Sequence, residues 1–289
     1  MEGCRDLSTT QPIRTVRWRE SRWRRLLGQA AYPLIRLINR PSAAWLGRAI
    51  YDFALRCNGV AINFPGRHGL AASEEAFLHA HAAALQGGVL LDVGANRGAY
   101  AQLLHKLAPS ARIIAFEPHP RSFQALRRAM DGTSVEAMNL AVSDQSGTLT
   151  LHDFAAEDGS TQASLDGAAV AMYSADTVTH QVATTTIDAL LAELGIERVA
   201  LLKIDTEGHD LAVLRGAAGA IRARRIGLIQ FEFIPANIAT HVTMRDMFEA
   251  LPGYRIHRLC LNGGLAPLDP YDVKFCEIYV TQNLVAIPR

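Results

Sequence analysis

A chain of 289 residues with 29 basic and 28 acidic side chains is long enough for one large α/β domain and an appendage. Apolar residues make up 49% of it, which excludes a disordered chain and allows a sizeable buried core. The four cysteines (Cys4, Cys57, Cys260, Cys276) lack any C-x-x-C spacing, which argues against a zinc knuckle and a disulfide framework.

Charge is unevenly spread. Residues 1–60 hold eleven arginines, no lysine and four acids, a net +7, while the remainder is net −6. The acidic body shows no basic groove with interleaved aromatics, so nucleic acid is not expected as a partner. Residues 1–25 read as an arm. Residues 26–56 carry apolar side chains at helical spacing (Leu27, Ala31, Leu34, Ile38, then Trp45, Ala49, Phe53) and predict two amphipathic helices broken near Pro41. No run of about 18 uncharged apolar residues and no signal-peptide pattern is present, so a cytoplasmic location is expected. Trp18, Trp23 and Trp45 among the arginines suggest peripheral contact of residues 1–56 with the inner face of a membrane; packing as a lid or across a dimer is the alternative.

A Pro/Gly connection over 63–69 precedes a helix whose expected start is an N-cap at Ser73 followed by Glu74 and Glu75, and whose end is near Gly87 and Gly88. Short apolar runs then alternate with helical segments: strands over 89–92, 112–117, 135–140, 147–152, 199–205 and 226–233, with helices over 100–107, 120–130, 186–194 and 210–223. Residues 153–181 read as a long polar loop or hairpin insertion. A hairpin over 254–260 and 273–280 closes the chain. The alternation predicts an α/β fold, doubly wound and mostly parallel, over residues 61–289, after an N-terminal helical segment at 1–60.

Ligands of such sheets sit beyond the carboxyl ends of the strands. The first strand-to-helix turn is Asp92-Val93-Gly94-Ala95-Asn96-Arg97-Gly98, which departs from the dinucleotide spacing G-x-G-x-x-G and carries an acid two residues before its first glycine. An acid there repels phosphates and suits a ligand with an amino group and a sulfonium cation. Glu117, followed by Pro118, ends the second strand, where a carboxylate can accept both hydroxyls of a ribose; Ser143 and Asp144 end the next, where one can accept an adenine amino group. Each acid alone is as readily a helix cap or loop anchor; three at successive strand tips describe an adenosine-shaped site. The expected cofactor contacts are Asp92, Gly94, Ala95, Asn96, Gly98, Tyr100, Glu117, Pro118, Ser143 and Asp144.

The segments Leu91–Gly98, Phe116–Pro118, Ala141–Asp144, Thr185–Asp188 and Leu202–Asp210 together resemble the FkbM-family methyltransferases over roughly residues 75–282. The resemblance implies a class I methyltransferase fold with a seven-stranded sheet, S-adenosyl-L-methionine as donor, and O-methylation, often of sugars, polyketides or glycolipids. Asp210 stands where the family usually has Glu, and the first 60 residues lie outside the resemblance.

Methyl transfer to a hydroxyl is an in-line displacement in which a proton leaves as the bond forms. Asp205, Glu207, His209 and Glu232 at the tips of two strands are the candidate catalytic residues: Asp205 to position acceptor or cofactor, Glu207 and Glu232 to line the acceptor site, and His209 as a base or simply a residue beside a helix start. Lys203 reads as an ion-pair partner of Asp205 or Glu232. No metal ligand is assigned, although these carboxylates could hold a hard cation. The polar insertion could fold over a small-molecule or glycan acceptor. An inactive scaffold of the same fold, or a protein or RNA acceptor, is the rival reading.

Overall fold

The computed structural model describes residues 22–64 and 69–289, so most of the arm and part of the 63–69 connection lie outside the described residues. The described residues fall into two compact units, divided between Phe53 and Ala54. The first contains helix α1 (Arg22–Ile38), a 3-10 turn at Pro41–Ala43, and most of α2 (Ala44–Cys57). Pro41 and the extended backbone of Arg40 separate the helices, as the proline in the sequence requires. The last four residues of the expected arm belong to α1.

The second unit holds the last turn of α2 and then α3 (Leu70–Leu85), which starts one turn earlier than Ser73 predicts. Ser73 is buried and its Oγ donates back to the Leu70 carbonyl at 2.6 Å, so it serves inside the first turn and Gly69 is the cap. Then follow β1 (Val89–Val93), α4 (Ala99–Leu107), β2 (Arg112–Phe116), α5 (Pro120–Ala129), β3 (Glu136–Met138), β4 (Ala141–Val142) and β5 (Gly147–Phe154). The segment expected as a polar loop or hairpin insertion contains α6 (Gly167–Ala171) and the start of the nine-residue β6 (Thr177–Thr185), which pairs antiparallel with β5. After α7 (Ile187–Glu193) come β7 (Val199–Ile204), α8 (Asp210–Gly216), α9 (Ala218–Arg222), β8 (Ile226–Phe233), α10 (Ala236–Ala239), α11 (Met244–Ala250), β9 (Tyr254–Leu259), β10 (Leu265–Pro267), α12 (Val273–Cys276) and β11 (Gln282–Pro288).

The main sheet has the order β10-β9-β11-β8-β7-β1-β2-β3. Strands β3 to β8 within it run parallel, and β11 is antiparallel to both β8 and β9. The seven strands of a class I methyltransferase are present, with the short β10 added at one edge. Strands β10 and β11 alone run against the rest of this sheet, and the closing strand is β11, not 273–280, which carries α12. Leu284, Val285 and Ala286 are fully buried because β11 lies between two strands, so its sequence lacks the alternation that marks a half-buried strand. A separate three-stranded sheet, β4-β6-β5, projects the insertion.

The single helix expected over 210–223 breaks at Ala217. The Asp188 carboxylate, from α7, accepts the N–H groups of Gly219 at 2.6 Å and Ala220 at 2.8 Å, so it caps a fresh helix start. Gly219 fits only as glycine, since a Cβ would stand 2.8 Å from that carboxylate. Two apolar layers flank the main sheet. One, including Phe77, Leu78, Tyr100, Leu104 and Leu201, lies under α3 and α4; the other, including Ile187, Leu214, Phe231, Met244 and Met247, lies under α7, α8 and α11. Among the described residues no helix is long and apolar enough to cross a membrane.

Candidate active site

The turn after β1 hangs from the end of β2: the N–H groups of Gly94 and Ala95 both donate to the Phe116 carbonyl, at 3.0 and 2.9 Å. Positive φ at Gly94 (+79°), Asn96 (+46°) and Gly98 (+90°) curls the backbone. A Cβ on Gly94 would lie 1.7 Å from the Asp205 carbonyl oxygen, so β1 and β7 end in backbone contact that only glycine permits. The Asn96 N–H, turned toward β2, donates to Glu117 Oε2 at 2.8 Å, and the His119 N–H donates to Oε1 at 2.7 Å. Burial nevertheless pushes the Glu117 carboxyl up to about 7.

These tips enclose a cavity of about 170 Å³. Gly94, Asn96, Glu117 and Pro118 line one side, and Asp205, Thr206 and Glu207 another. The insertion supplies Ser160, Thr161, Ala163, Ser164 and Leu165. It is folded by Asp153, whose buried carboxylate accepts the N–H groups of Phe154, Gly159 and Ser160 and the Ser160 hydroxyl. Asp158 ties it to the body, accepting from His119 Nε2 and His180 Nε2, each at 2.8 Å. Among the described residues these three side chains are the one group spaced to hold a metal ion. The Arg121 N–H donates to His119 Nδ1 at 3.2 Å, which leaves the ring hydrogen on Nε2 and makes the cluster a hydrogen-bonded tie.

Behind the cavity, parallel register sets Asp92 beside Lys203, and Lys203 beside Gln230, on the face covered by α3 and α4. Lys203 Nζ lies 2.9 Å from Asp205 Oδ2, 3.7 Å from Asp92 Oδ1 and 5.0 Å from the centre of the Tyr100 ring. The Tyr100 hydroxyl donates to Gln230 Oε1 at 2.7 Å; Gln230 Nε2 and Asn283 Nδ2 donate to Glu74 Oε1 at 2.7 and 3.1 Å. Asp92 is wholly buried, and neither of its oxygens has a hydrogen-bond partner. Desolvation raises its pKa against the pull of Lys203. Desolvation also raises Glu74 to about 7, again opposed by Lys203.

Of the remaining expected residues, Ala95, Gly98 and Tyr100 build the wall without lining the cavity. Gly98 packs on α5, where a Cβ would meet Leu126 Cδ1 at 2.8 Å. Ser143 is buried against His209, Oγ to Nε2 2.9 Å, and Asp144 is exposed; neither lines the cavity. His209 also lies off it, its pKa lowered by desolvation. Glu207 sits on the rim with φ +51°, and burial followed by the neighbouring Asp205 and Asp210 pushes it up to about 8. Glu232 is raised well above the carboxylate range by burial and then by Asp205, Glu207 and Asp210. Asp210 holds the two strand tips together, accepting from Thr206 Oγ1 at 2.6 Å and from the Glu232 N–H at 3.0 Å.

Sequence reasoning passed over Glu74, Thr206 and Gln230. Glu74 could have been found, because it shares the helical face of Phe77, Leu78 and Leu85, where an acid is out of place unless it has partners.

The family model of the methyltransferase FkbM domain matches residues 92–256, more than half the chain and every strand tip described above. The chain belongs to the FkbM methyltransferase family. The methyl donor that the resemblance implies is S-adenosylmethionine. Among relatives, it is 31% identical over 142 residues to Methyltransferase 1 of Beauveria bassiana, covering 44% of this chain and 57% of that one. It is 24% identical over 179 residues to the 2-O-methyltransferase NoeI of Sinorhizobium fredii, covering 58% and 72%. With the hexuronic acid methyltransferase AglP of Haloferax volcanii it shares 26% over 145 residues, covering 49% and 55%. The chain thus spans little more than half the length of the fungal and archaeal relatives.

The residues present fit a sulfonium cofactor. Glu117, Asp205 and Glu207 line the cavity with no basic side chain among the lining residues, and the buried Asp92 behind them has Lys203, 3.7 Å away, as its counter-charge. Bound there, the cofactor supplies an electrophilic methyl group.

Proposed function

We propose that residues 61–289 of this FkbM methyltransferase transfer the methyl group to a hydroxyl of a sugar, glycolipid or polyketide-like acceptor. The observation that carries this is the pairing, in one cavity, of the glycine turn and Glu117 on one side with Asp205 and Glu207 on the other. NoeI by its name transfers to oxygen, and AglP acts on a hexuronic acid, which supports a polar, hydroxylated acceptor.

In this reading Glu117 accepts the ribose hydroxyls, and Asp205, held by Lys203, fixes cofactor and acceptor in line. Glu207 takes the hydroxyl proton. A carboxylate raised to about 8 is a stronger base, once ionised, than one at its ordinary value, and it stands on the cavity wall as His209 does not. Glu232 lies behind it. A cavity of about 170 Å³ is smaller than the ~300–1,000 Å³ of ligand pockets, so the segment over Ser160–Leu165 swings outward to admit ligands. Its ties to the body at the cavity are long: Asn96 Nδ2 to the Ser160 carbonyl 3.3 Å, Arg97 to the Gly159 carbonyl 3.5 Å, Ser164 Oγ to the Thr206 carbonyl 3.4 Å.

Peripheral contact of residues 1–56 with the inner face of a membrane belongs to the same reading, since it would confine enzyme and a glycolipid acceptor to one surface. Incubation with labelled donor and purified glycans, glycolipids, RNA and protein separates the acceptor classes; dominant labelling of RNA or protein would sink the proposal.

A further inference from the structure

Fifteen large apolar side chains stand exposed among the described residues, and nine of them fall between Leu26 and Phe53. Their placement follows helical spacing. On α1, Leu26, Leu34 and Leu37 share a face turned away from Arg36. On α2, Trp45, Ala49 and Phe53 recur every fourth residue, flanked by Arg48 and Arg56; Trp45 is 70% and Phe53 69% exposed. The two helices enclose an apolar groove of about 670 Å³ lined by Leu34, Ile35, Ile38, Ala44, Gly47 and Ile50, with Arg40 also at its wall. A patch of this kind marks an interaction surface.

The charge around it says which. Among the described side chains of this segment the charged ones are Arg36, Arg40, Arg48 and Arg56 against Asp52, and Arg40 stands at the groove itself. A second copy would bring the same positive charge against itself, and like charges at an interface oppose association. An anionic surface satisfies both the apolar face and its arginines. Neither helix is long and apolar enough to span a bilayer, so the face lies on the membrane. We propose that α1 and α2 form a docking face for an anionic phospholipid surface, with Trp45 and Phe53 inserted at the headgroup and acyl boundary and the arginines against lipid phosphates. This rests on the peripheral contact proposed above and not on the acceptor's identity.

The test uses the full chain and vesicles of phosphatidylcholine with or without phosphatidylglycerol. All three tryptophans lie in residues 1–60, so intrinsic tryptophan emission reports on this segment alone. Binding to the phosphatidylglycerol vesicles, with a blue shift of that emission and at least tenfold weaker binding at high salt or without the anionic lipid, is expected. Trp45→Ala with Phe53→Ala should weaken vesicle binding at least tenfold and leave S-adenosylmethionine affinity unchanged. Should that variant not fold, the wild-type blue shift decides alone. Absence of binding or of the shift, or equal binding by the folded double variant, would overturn the proposal. So would a wild-type dimer that the double substitution turns into a monomer without altering vesicle binding. No readout involves methyl transfer, so failure here and failure of the proposed reaction are told apart.

Discussion

Lys203 Nζ donates to Asp205 Oδ2 at 2.9 Å, which ties an acid of the cavity wall to a cation buried beneath the sheet. Lys203 is also the nearest counter-charge to the unpartnered Asp92. Removing one partner of a buried charge group leaves the other uncompensated, at a cost of about 3–5 kcal/mol. Lys203→Met should therefore lose stability on that scale in chemical denaturation, and adding Asp92→Asn should restore part of it. Additive losses in the double variant would show that the two groups do not act as a pair.

Glu117→Ala is expected to weaken S-adenosylmethionine binding by about 1.5–3 kcal/mol, the scale of charged hydrogen bonds. The accepting form is the carboxylate, and Glu117 ionises at about 7, so wild-type affinity should fall as pH drops below that value. Calorimetry over a pH series checks both. Affinity indifferent to the substitution and to pH would remove the ribose role.

With Glu207 raised to about 8, its basic form is scarce at neutral pH and accumulates above it. Turnover should rise with pH through about 8. Glu207→Gln should lower it by about 10²–10⁴-fold, the usual contribution of a general base, and flatten the profile. A variant that keeps the same pH limb would move the base elsewhere, with His209 the next residue to test.

Three acids, Glu74, Glu117 and Glu207, have folded-state pKa values of about 7, 7 and 8, above their ordinary 4.5. The folded protein then binds more protons than the unfolded chain between about pH 4.5 and 8, so unfolding free energy falls as pH rises through that window. His209, lowered, acts in the opposite sense only below about 6.5. The melting temperature of the cofactor-free protein should decline from pH 6.5 to 8, less steeply in Glu74→Gln. A melting temperature that climbs over this range would contradict the buried, protonated state of these acids.

The parallel sheet was legible because βα alternation and the Asp92–Gly98 turn are local signals, and the same locality let Glu117 and Asp205 be placed at neighbouring strand tips. Long-range register was not. That Asp92, Lys203 and Gln230 stand side by side depends on how β1, β7 and β8 slide past one another, and one residue of slip would turn each to the other face. Residues 153–181 read as a polar loop or a hairpin, and the antiparallel β5–β6 pair bears out the hairpin; the sequence left the choice open because β6 has much of its surface exposed, so Thr177–Thr185 carries few apolar residues. His209 drew notice through its chemistry, yet its ring turns to Ser143 and away from the cavity, a rotamer that spacing does not encode.

The central claim, transfer of a methyl group to a hydroxyl by the Glu117–Asp205 cavity, meets its most direct test in product mass. Protein incubated with isotopically labelled S-adenosylmethionine and separated glycan, glycolipid, RNA and protein fractions should place one labelled methyl on a glycan or glycolipid oxygen. Asp205→Ala, folded by circular dichroism, should place none. Label carried chiefly by RNA or protein, or undiminished transfer by the Asp205 variant, would contradict the account.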